Sequence, residues 1–251
     1  MEPVIAGHRG LDEFAPENTT PAFIAAWELG MAIEFDIRLS SDGELVVIHD
    51  PTLDRTTDGS GAVDEHDLAA LKQVDAGSWR GERFAGERIL TLDETLALAA
   101  KHGRGSTTLV LEVKVDEPGM EKSISDLLNR RGLVDRTAVI GAPVMAIGAP
   151  ESRRRYREAV SSFPTSVAVN EPNEIEQALS DEYSSWLYVR FAPSPIEVEQ
   201  IHGAGKRVIA SGPNVMNIVE QAYSSMISGS DVVLSNHPVA LAGMWIDHVR
   251  A

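Results

Sequence analysis

Short apolar segments with the length and composition of β-strands recur along the whole chain, and helical patterns separate most of them. Strands that alternate with helices are typical of parallel sheets, in which each helix crosses from one strand to the next. The second and third segments are an exception, because only residues 40–44 separate them. A parallel neighbour needs a crossover of about a dozen residues, so these two segments must form an antiparallel hairpin. The segments cover residues 4–7, 32–39, 45–49, 108–115, 137–140, 166–170, 186–190, 207–210 and 231–235.

Removing the return arm of this hairpin leaves eight strand segments, nearly all of them connected through helices. Eight strands of this kind close into a (β/α)8 barrel, so the predicted fold class is α/β with TIM-barrel architecture. Residues from about 50 to 105 are rich in turns and short helical pieces. We expect them to form a small insertion after the second barrel strand and its hairpin arm. The predicted organisation is a single domain over residues 1–251 that carries this insertion.

Three helix starts can be read from the sequence. Thr20 is followed by a proline and supplies a hydroxyl for capping, and Ser194 is followed by a proline in the same way. Thr91 with Glu94 three residues later has the pattern of a capping box. These starts predict helices that begin near residues 20, 92 and 195.

The charge balance excludes some classes of partner. Lys and Arg total 22 against 38 Asp and Glu, which gives a formal net charge of −16. Such a surface repels nucleic acids and anionic lipid headgroups, so no nucleic-acid partner is expected. There are no cysteines, which excludes disulfides and zinc–thiolate sites. We see no signal peptide, and no stretch approaches the ~20 apolar residues of a membrane span, so we expect a soluble, cytoplasmic protein without an integral membrane segment.

Acidic side chains alternate with apolar ones in the second segment. Glu34 and Asp36 share one face of this strand, roughly 6.5 Å apart along the backbone. Like charges on one face repel each other, so folding alone gives no reason for this pair. Glu112 and Lys114 alternate in the same way in the fourth segment, and a closed barrel would point their face inward. The three carboxylates form an oxygen-only set that suits one divalent cation, Mg²⁺ or Ca²⁺, with Mn²⁺ as a further candidate.

Imidazole and basic side chains accompany the carboxylates. His8 and Arg9 precede the acidic pair, and the hairpin brings His49 back level with it. Arg9 and Lys114 are candidates for holding the oxygens of a phosphate group. His8 and His49 are suited to the two proton transfers of an in-line displacement at phosphorus, and the sequence leaves open which is the acid and which the base.

The order and spacing of these motifs resemble those of the glycerophosphodiester phosphodiesterase family. A set of ordered motifs is far more specific than one short pattern. The match covers roughly the first 115 residues, and its stretches are His8-Arg9-Gly10, Ala15-Pro16-Glu17-Asn18-Thr19 with Ala22-Phe23, Glu34-Phe35-Asp36, Val46-Val47-Ile48-His49-Asp50, Leu53-Asp54-Arg55-Thr56-Thr57-Asp58-Gly59, Asp75-Ala76-Gly77-Ser78-Trp79 and Leu111-Glu112-Val113-Lys114.

The resemblance implies a TIM barrel, a divalent cation and cleavage of a glycerol-linked phosphodiester to glycerol phosphate and an alcohol. In the mechanism usually inferred for such enzymes, the neighbouring glycerol hydroxyl attacks phosphorus and water then opens the cyclic product. Arg55 is expected to brace the insertion. The implied metal ligands, acid–base pair and phosphate ligands are, in that order, Glu34, Asp36 and Glu112; His8 and His49; Arg9 and Lys114.

The C-terminal half departs from the family pattern. Residues 208–214 contain no aromatic side chain where members usually carry a Trp-Thr-Val-Asn-like segment, and residues 141–143 replace the common Ser-Phe. Asn236 stands where the usual Thr-Asp-x-Pro has its aspartate. These changes reshape the pocket for the alcohol, where His237 and Arg190 are candidate contacts. They keep two alternatives open: the same site acting on a sugar-phosphodiester or a lysophospholipid, and a non-catalytic binding barrel.

Overall fold

The computed structural model describes residues 2–105, 109–141, 149–160 and 162–250. Its strands are β1 Val4–Gly7, β2 Ala32–Leu39, β3 Leu45–Val47, β4 Leu90–Thr91, β5 Leu109–Val113, β6 Thr137–Ile140, β7 Ser166–Val169, β8 Trp186–Val189, β9 Arg207–Ala210 and β10 Val232–Ser235. Its helices are α1 Thr20–Glu28, α2 Leu68–Leu71, α3 Leu92–His102, α4 Met120–Arg131, α5 Pro150–Ala159, α6 Ile175–Leu179, α7 Pro195–Gly203, α8 Pro213–Asn217, α9 Val219–Ile227 and α10 Pro238–Arg250.

Parallel strands form a ring within the described part of the chain. β1 pairs with β10, and the ladder continues through β9 and β8 to β7. On its other side β1 pairs with β2, which leads through β5 to β6. A parallel bridge between Val139 and Thr165 joins β6 to the start of β7, beside a 2.8 Å hydrogen bond from the Val139 N–H to the Pro164 carbonyl. The fold is the TIM barrel that the strand pattern predicted.

The third predicted segment is the return arm of a hairpin. β3 runs antiparallel to β2, with Ile37 opposite Val47 and Leu39 opposite Leu45. All nine predicted segments contain a strand, although several strands end one or two residues early and residue 108 lies outside the described residues. β4 was not predicted, because a strand of two residues is too short to show a period. It pairs antiparallel with β3 and so extends the arm rather than the ring.

The predicted helix starts are confirmed, with one difference in capping. Thr91 and Ser194 each accept a hydrogen bond from the backbone N–H three residues later, and both form capping boxes. Helix α1 begins at Thr20, but its cap position is Thr19, whose hydroxyl donates to the Pro16 carbonyl at 2.6 Å. That hydroxyl closes the preceding turn instead of capping the helix.

Side chains of alternate strand residues form separate inner and outer clusters. Ala32 of β2 belongs to a cluster built mainly from strand residues inside the ring, together with Trp186 and Tyr188 of β8. Phe35, one residue out of phase with Glu34, packs against Phe23 of α1, with ring centroids 5.9 Å apart. Because successive side chains on a strand point to opposite faces, Glu34 shares the inner face with Ala32.

The segment between β3 and β4 contains α2 and three short 3₁₀ turns. Its apolar side chains, among them Leu53 and Leu71, pack in a small cluster beneath the hairpin arm. The guanidinium of Arg80 ties this segment to the loop between β1 and α1 by donating to the carbonyls of Asp12 at 2.7 Å and Glu13 at 2.8 Å. Helices in the described residues are all too short or too polar to cross a bilayer.

Candidate active site

Three carboxylates meet where β2 and β5 run side by side. The register of the two strands places Asp36 directly beside Glu112. Glu34, Asp36 and Glu112 each offer one oxygen, and these oxygens all lie within 4.8 Å of one another. The side chains of Glu34 and Asp36 are fully buried, and that of Glu112 is partly buried. The structure therefore brings together the three acids that were predicted to share one site because they alternate with apolar residues in the sequence.

The electrostatics of the cluster favour a bound cation. Burial, together with the charges of Asp36 and Glu112, raises the pKa of Glu34 well above its usual value. Burial opposes ionisation of Asp36 as well, but the charges of Lys114 and Arg9 outweigh it and lower the pKa of this carboxyl. Oε1 of Glu34 is buried and accepts no hydrogen bond from the described residues. A buried, unsatisfied carboxylate oxygen in an all-oxygen donor set fits a hard divalent cation.

Both basic residues predicted to bind phosphate face the carboxylates. Nζ of Lys114 lies 2.7 Å from Oε1 of Glu112 and 3.0 Å from Oδ1 of Asp36. Nε of Arg9 lies 3.5 Å from Oδ2 of Asp36, and its Nη1 donates to Oε1 of Glu17 at 2.8 Å. These cations reduce the repulsion among the acids and place positive charge at the barrel mouth.

The loop between β1 and α1 adopts an unusual backbone conformation around the acids. Arg9 and Asn18 both have left-handed backbone angles, with φ of 56° and 58°. The N–H of Arg9 donates to Oε2 of Glu34 at 3.0 Å, and the amide of Asn18 donates to Oδ2 of Asp36 at 2.9 Å. Non-glycine residues adopt this conformation only where their surroundings hold them, and here the two carboxylates do so.

A chain of side-chain amides fixes the proton on His8. Asn217 donates its amide N–H to the Pro213 carbonyl, and its own Oδ1 accepts from the amide of Asn236, each at 2.7 Å. Oδ1 of Asn236 then lies 2.7 Å from Nδ1 of His8 and can only accept a hydrogen bond there. Nδ1 of His8 therefore carries the proton, and its Nε2, which lies 3.8 Å from Oε2 of Glu34, has a free lone pair.

The two imidazoles differ in their partners. Burial, reinforced by the charge of Arg9, lowers the pKa of His8 to about 4, so this ring is neutral near pH 7. Nδ1 of His49 lies 2.7 Å from Oδ1 of Asp50, and the backbone carbonyl of His49 accepts from Nε of Arg38 at 2.9 Å. A carboxylate partner stabilises a positively charged imidazole, whereas a carboxamide does not.

The residues predicted to contact the alcohol lie at the same end of the barrel as the three carboxylates. Nδ1 of His237 is 2.8 Å from Oε1 of Glu13, and Nη1 of Arg190 donates to Oδ1 of Asn170 at 3.3 Å. Residues 208–214 contribute Ser211, whose hydroxyl lies 3.0 Å from the buried Tyr188 hydroxyl. Of the departure at residues 141–143, only residue 141 lies within the described residues.

Several residues hold groups of the site, a role that was not predicted for them from the sequence. Apart from the neighbouring Asp50 and His49, most of the partners lie many residues apart in the chain, so no local spacing reveals them; only the position of most of them in the family-like motifs was a signal. These residues are Glu17, Asn18, Asp50, Arg55 and Asn236.

The carboxylates and imidazoles at the mouth of the ring place the chain in the class of TIM-barrel proteins with a candidate active site at the carboxyl ends of the strands. The model of the glycerophosphoryl diester phosphodiesterase family matches residues 8–133, half of the chain, and this range contains the predicted metal ligands, acid–base pair and phosphate ligands. The chain belongs to the glycerophosphoryl diester phosphodiesterase family.

Curated relatives and solved structures agree with this assignment. The chain is 37% identical over 172 residues to a putative glycerophosphodiester phosphodiesterase, YhdW, of Bacillus subtilis, covering 67% of this chain and 66% of the relative. It is 41% identical over 143 residues to a glycerophosphodiester phosphodiesterase of Caldanaerobacter subterraneus, covering 55% of this chain and 58% of that one. The aligned part thus spans less than two thirds of these relatives.

Two solved structures match almost the whole chain. A glycerophosphodiester phosphodiesterase from Agrobacterium tumefaciens has a TM-score of 0.79 and 26% identity, covering 96% of this chain and 99% of that one. A phosphodiesterase from Oleispira antarctica, in complex with its product sn-glycerol-3-phosphate, has a TM-score of 0.80 and 28% identity and covers 96% of both chains.

Proposed function

We propose that this protein is a metal-dependent phosphodiesterase that hydrolyses a glycerophosphodiester to glycerol phosphate and an alcohol. One observation carries the proposal: Glu34, Asp36 and Glu112 converge at the barrel mouth and leave a buried carboxylate oxygen unsatisfied. Family membership supports the reaction type, and the likeness to the Oleispira antarctica enzyme with bound sn-glycerol-3-phosphate supports the glycerol part of the substrate.

The three acids would hold the cation, Mg²⁺, Ca²⁺ or Mn²⁺. A cation bound there supplies charge neutralisation and polarises the phosphoryl oxygens. Arg9 and Lys114, which lie beside the cluster, would bind the remaining phosphoryl oxygens. Because the molecule carries a formal net charge of −16, an anionic diester depends on this local positive charge.

We assign the role of general base to His8 and that of general acid to His49. His8 is neutral and presents a free Nε2, so it can accept the proton of the attacking hydroxyl. Nδ1 of His49 is hydrogen-bonded to the Asp50 carboxylate, which orients the ring so that its Nε2 can give a proton to the leaving alcohol. If a cyclic product forms first, the two histidines exchange roles when water opens it.

A second candidate keeps this site and changes the alcohol. Residues 208–214 offer Ser211, bonded to Tyr188, in place of an aromatic wall for glycerol. A sugar-phosphodiester or a lysophospholipid is the alternative substrate that this change favours.

We further propose that residues 1–251 form one TIM-barrel domain with an insertion of about residues 50–105. The small cluster of the insertion includes Val46 of β3 and so continues into the hairpin arm. Arg80 ties the insertion to the loop that carries His8 and Arg9.

A panel of diesters assayed with each of the three cations tests the proposal. We expect hydrolysis of glycerol-linked diesters, and His49→Ala should abolish turnover while metal binding, measured by calorimetry, stays largely intact. Equally slow hydrolysis of every glycerol diester would favour the second candidate function, a sugar-phosphodiester or lysophospholipid substrate. Unchanged activity of His49→Ala would show that the chemistry is misassigned.

A further inference from the structure

The guanidinium of Arg55 lies between two carboxylates, each of which holds a group of the proposed active site. Its Nε and Nη2 donate to Asp50 at 2.6 and 3.0 Å, and its Nη1 and Nη2 donate to Glu17 at 2.6 and 2.8 Å. Oε1 of Glu17 also accepts from Nη1 of Arg9 at 2.8 Å. Oδ1 of Asp50 lies 2.7 Å from Nδ1 of His49. One continuous chain of hydrogen bonds therefore runs from Arg9 through Arg55 to His49.

We propose that Arg55 is a positioning residue for the phosphodiesterase reaction, fixing the phosphate-binding Arg9 and the proton-donating His49 in one geometry. The inference rests on the function proposed above. Arg9 belongs to the loop after β1, and His49 follows the hairpin arm. Glu34 and Arg38 of β2 hold the backbone of these two loops, whereas Arg55, in the insertion that follows His49, links the side chains of Arg9 and His49 through Glu17 and Asp50. Holding reacting groups in one arrangement before substrate binds is a major source of rate.

The geometry requires an arginine. Two of its nitrogens meet each carboxylate, and Nη2 serves both, which a planar guanidinium can do and a lysine ammonium cannot. The hydrogen bonds of Arg55 also lower the pKa of Asp50 and keep this carboxylate charged opposite His49.

The exposed fractions of the three side chains indicate whether Arg55 matters more for catalysis or for folding stability. The side chain of Arg55 is 44% exposed, whereas those of Glu17 and Asp50 are 9% and 22% exposed. An ion pair of a cation exposed to this extent contributes little to folding stability, and Glu17 keeps Arg9 as a partner when Arg55 is removed. Removal of Arg55 should therefore change catalysis much more than the stability of the protein.

Arg80 provides a matched control in the same insertion. It reaches the same loop after β1, but among the described residues its side chain donates hydrogen bonds only to the backbone carbonyls of Asp12 and Glu13. If bracing of the insertion were the whole role of Arg55, substitution of either arginine would have similar consequences.

The test compares Arg55→Gln, Arg55→Lys and Arg80→Gln with the wild type in the presence of saturating divalent cation. We expect Arg55→Gln to lower kcat by about 10- to 100-fold, the usual effect of losing a residue that orients an active-site group. Arg55→Lys should recover little of this loss, and Arg80→Gln should stay within about threefold of the wild type. Millimolar guanidinium should restore part of the activity of Arg55→Ala, which a purely structural defect would not allow.

Amide hydrogen exchange gives a readout that needs no activity. Arg55→Gln should speed exchange in both residues 9–19 and residues 49–54, and Arg80→Gln only around residues 12–14. Wild-type kinetics for Arg55→Gln, or the same exchange pattern for both variants, would overturn the positioning role. If the wild type hydrolysed no diester with any cation, the proposed function would fail, and the exchange pattern would still decide whether Arg55 couples the two loops.

Discussion

His8 owes its neutral state to burial and to the charge of Arg9, and the residue that faces its Nδ1 adds no carboxylate to oppose them. Asn236 offers a carboxamide oxygen, and it occupies the position where the family pattern has an aspartate. With no carboxylate at this position, burial and the charge of Arg9 lower the pKa of His8 to about 4. The identity of residue 236, in the divergent C-terminal half, therefore bears on the protonation of a group in the matching N-terminal half.

Asn236→Asp tests this influence. A carboxylate opposite Nδ1 should raise the pKa of His8, so the acidic limb of the pH profile of kcat/KM should move to higher pH. In the wild type, the stabilisation linked to His8 is present above its ordinary pKa of 6.5 and is lost as pH falls toward 4, and the variant should lose less of it. Profiles of kcat/KM and thermal melts between pH 4 and 8 measure both effects, with Asn217→Ala as a control that leaves position 236 a carboxamide. An unmoved acidic limb would contradict the account.

The residues of the site differ in how well the sequence revealed them. Alternation alone put Glu34 and Asp36 on one face, because the period of a strand is two. The orientation of the Arg9 side chain could not be predicted from alternation, because it depends on a left-handed φ of 56° and on a hydrogen bond to Glu17. Asn236 and His8 are 228 positions apart in the sequence, so no local sequence pattern could predict their contact.

At the scale of elements, the start of α3 shows how local sequence fixes structure beside the site. The Thr91 hydroxyl accepts from the Glu94 N–H, and the Glu94 carboxylate accepts from the Thr91 N–H at 2.8 Å and pairs with Lys72. Leu92 and Leu96 of this helix are fully buried in the main core. The capping box therefore joins the helix, the insertion and the core.

Thr91→Ala should reduce the free energy of unfolding by about 1 kcal/mol, the usual contribution of an N-cap hydroxyl. Urea denaturation measures this loss, and Thr91→Ser is the matched control, because it keeps the oxygen that accepts from Glu94. Catalysis should be unchanged, since Thr91 contacts no site residue in the described structure. Equal stability of the alanine variant and the wild type would show that the box does not stabilise α3.

Secondary-structure elements could be predicted where the sequence is compatible with only one local structure. A connection of five residues, 40–44, dictated the hairpin of β2 and β3, and the capping patterns located the starts of α3 and α7. β4 and the 3₁₀ turns of the insertion were not predictable, because their ends are set by tertiary contacts such as that of Arg80 with the carbonyl of Asp12.

At the scale of the whole molecule, closure of the ring brings residues from separate sequence motifs into one site. Closure could be inferred from the number of strands and helices, and it points the alternate residues of β2 and β5 inward together. It also brings Asn236, just after β10, next to His8, just after β1, because these two strands are neighbours in the ring. The identity of the alcohol was not predictable, since it depends on late loops in which the sequence departs from the family pattern.

We propose that Glu34, Asp36 and Glu112 hold one divalent cation and that hydrolysis depends on it. The most direct measurement is the hydrolysis of a glycerophosphodiester by exhaustively chelated protein before and after addition of Mg²⁺, Ca²⁺ or Mn²⁺, with Glu34→Gln and the exposed Glu176→Gln measured in parallel. We predict that the chelated wild type and Glu176→Gln are inactive and recover with cation, whereas Glu34→Gln stays at least about 100-fold less active. Turnover by the chelated wild type, or full recovery of Glu34→Gln, would contradict the account.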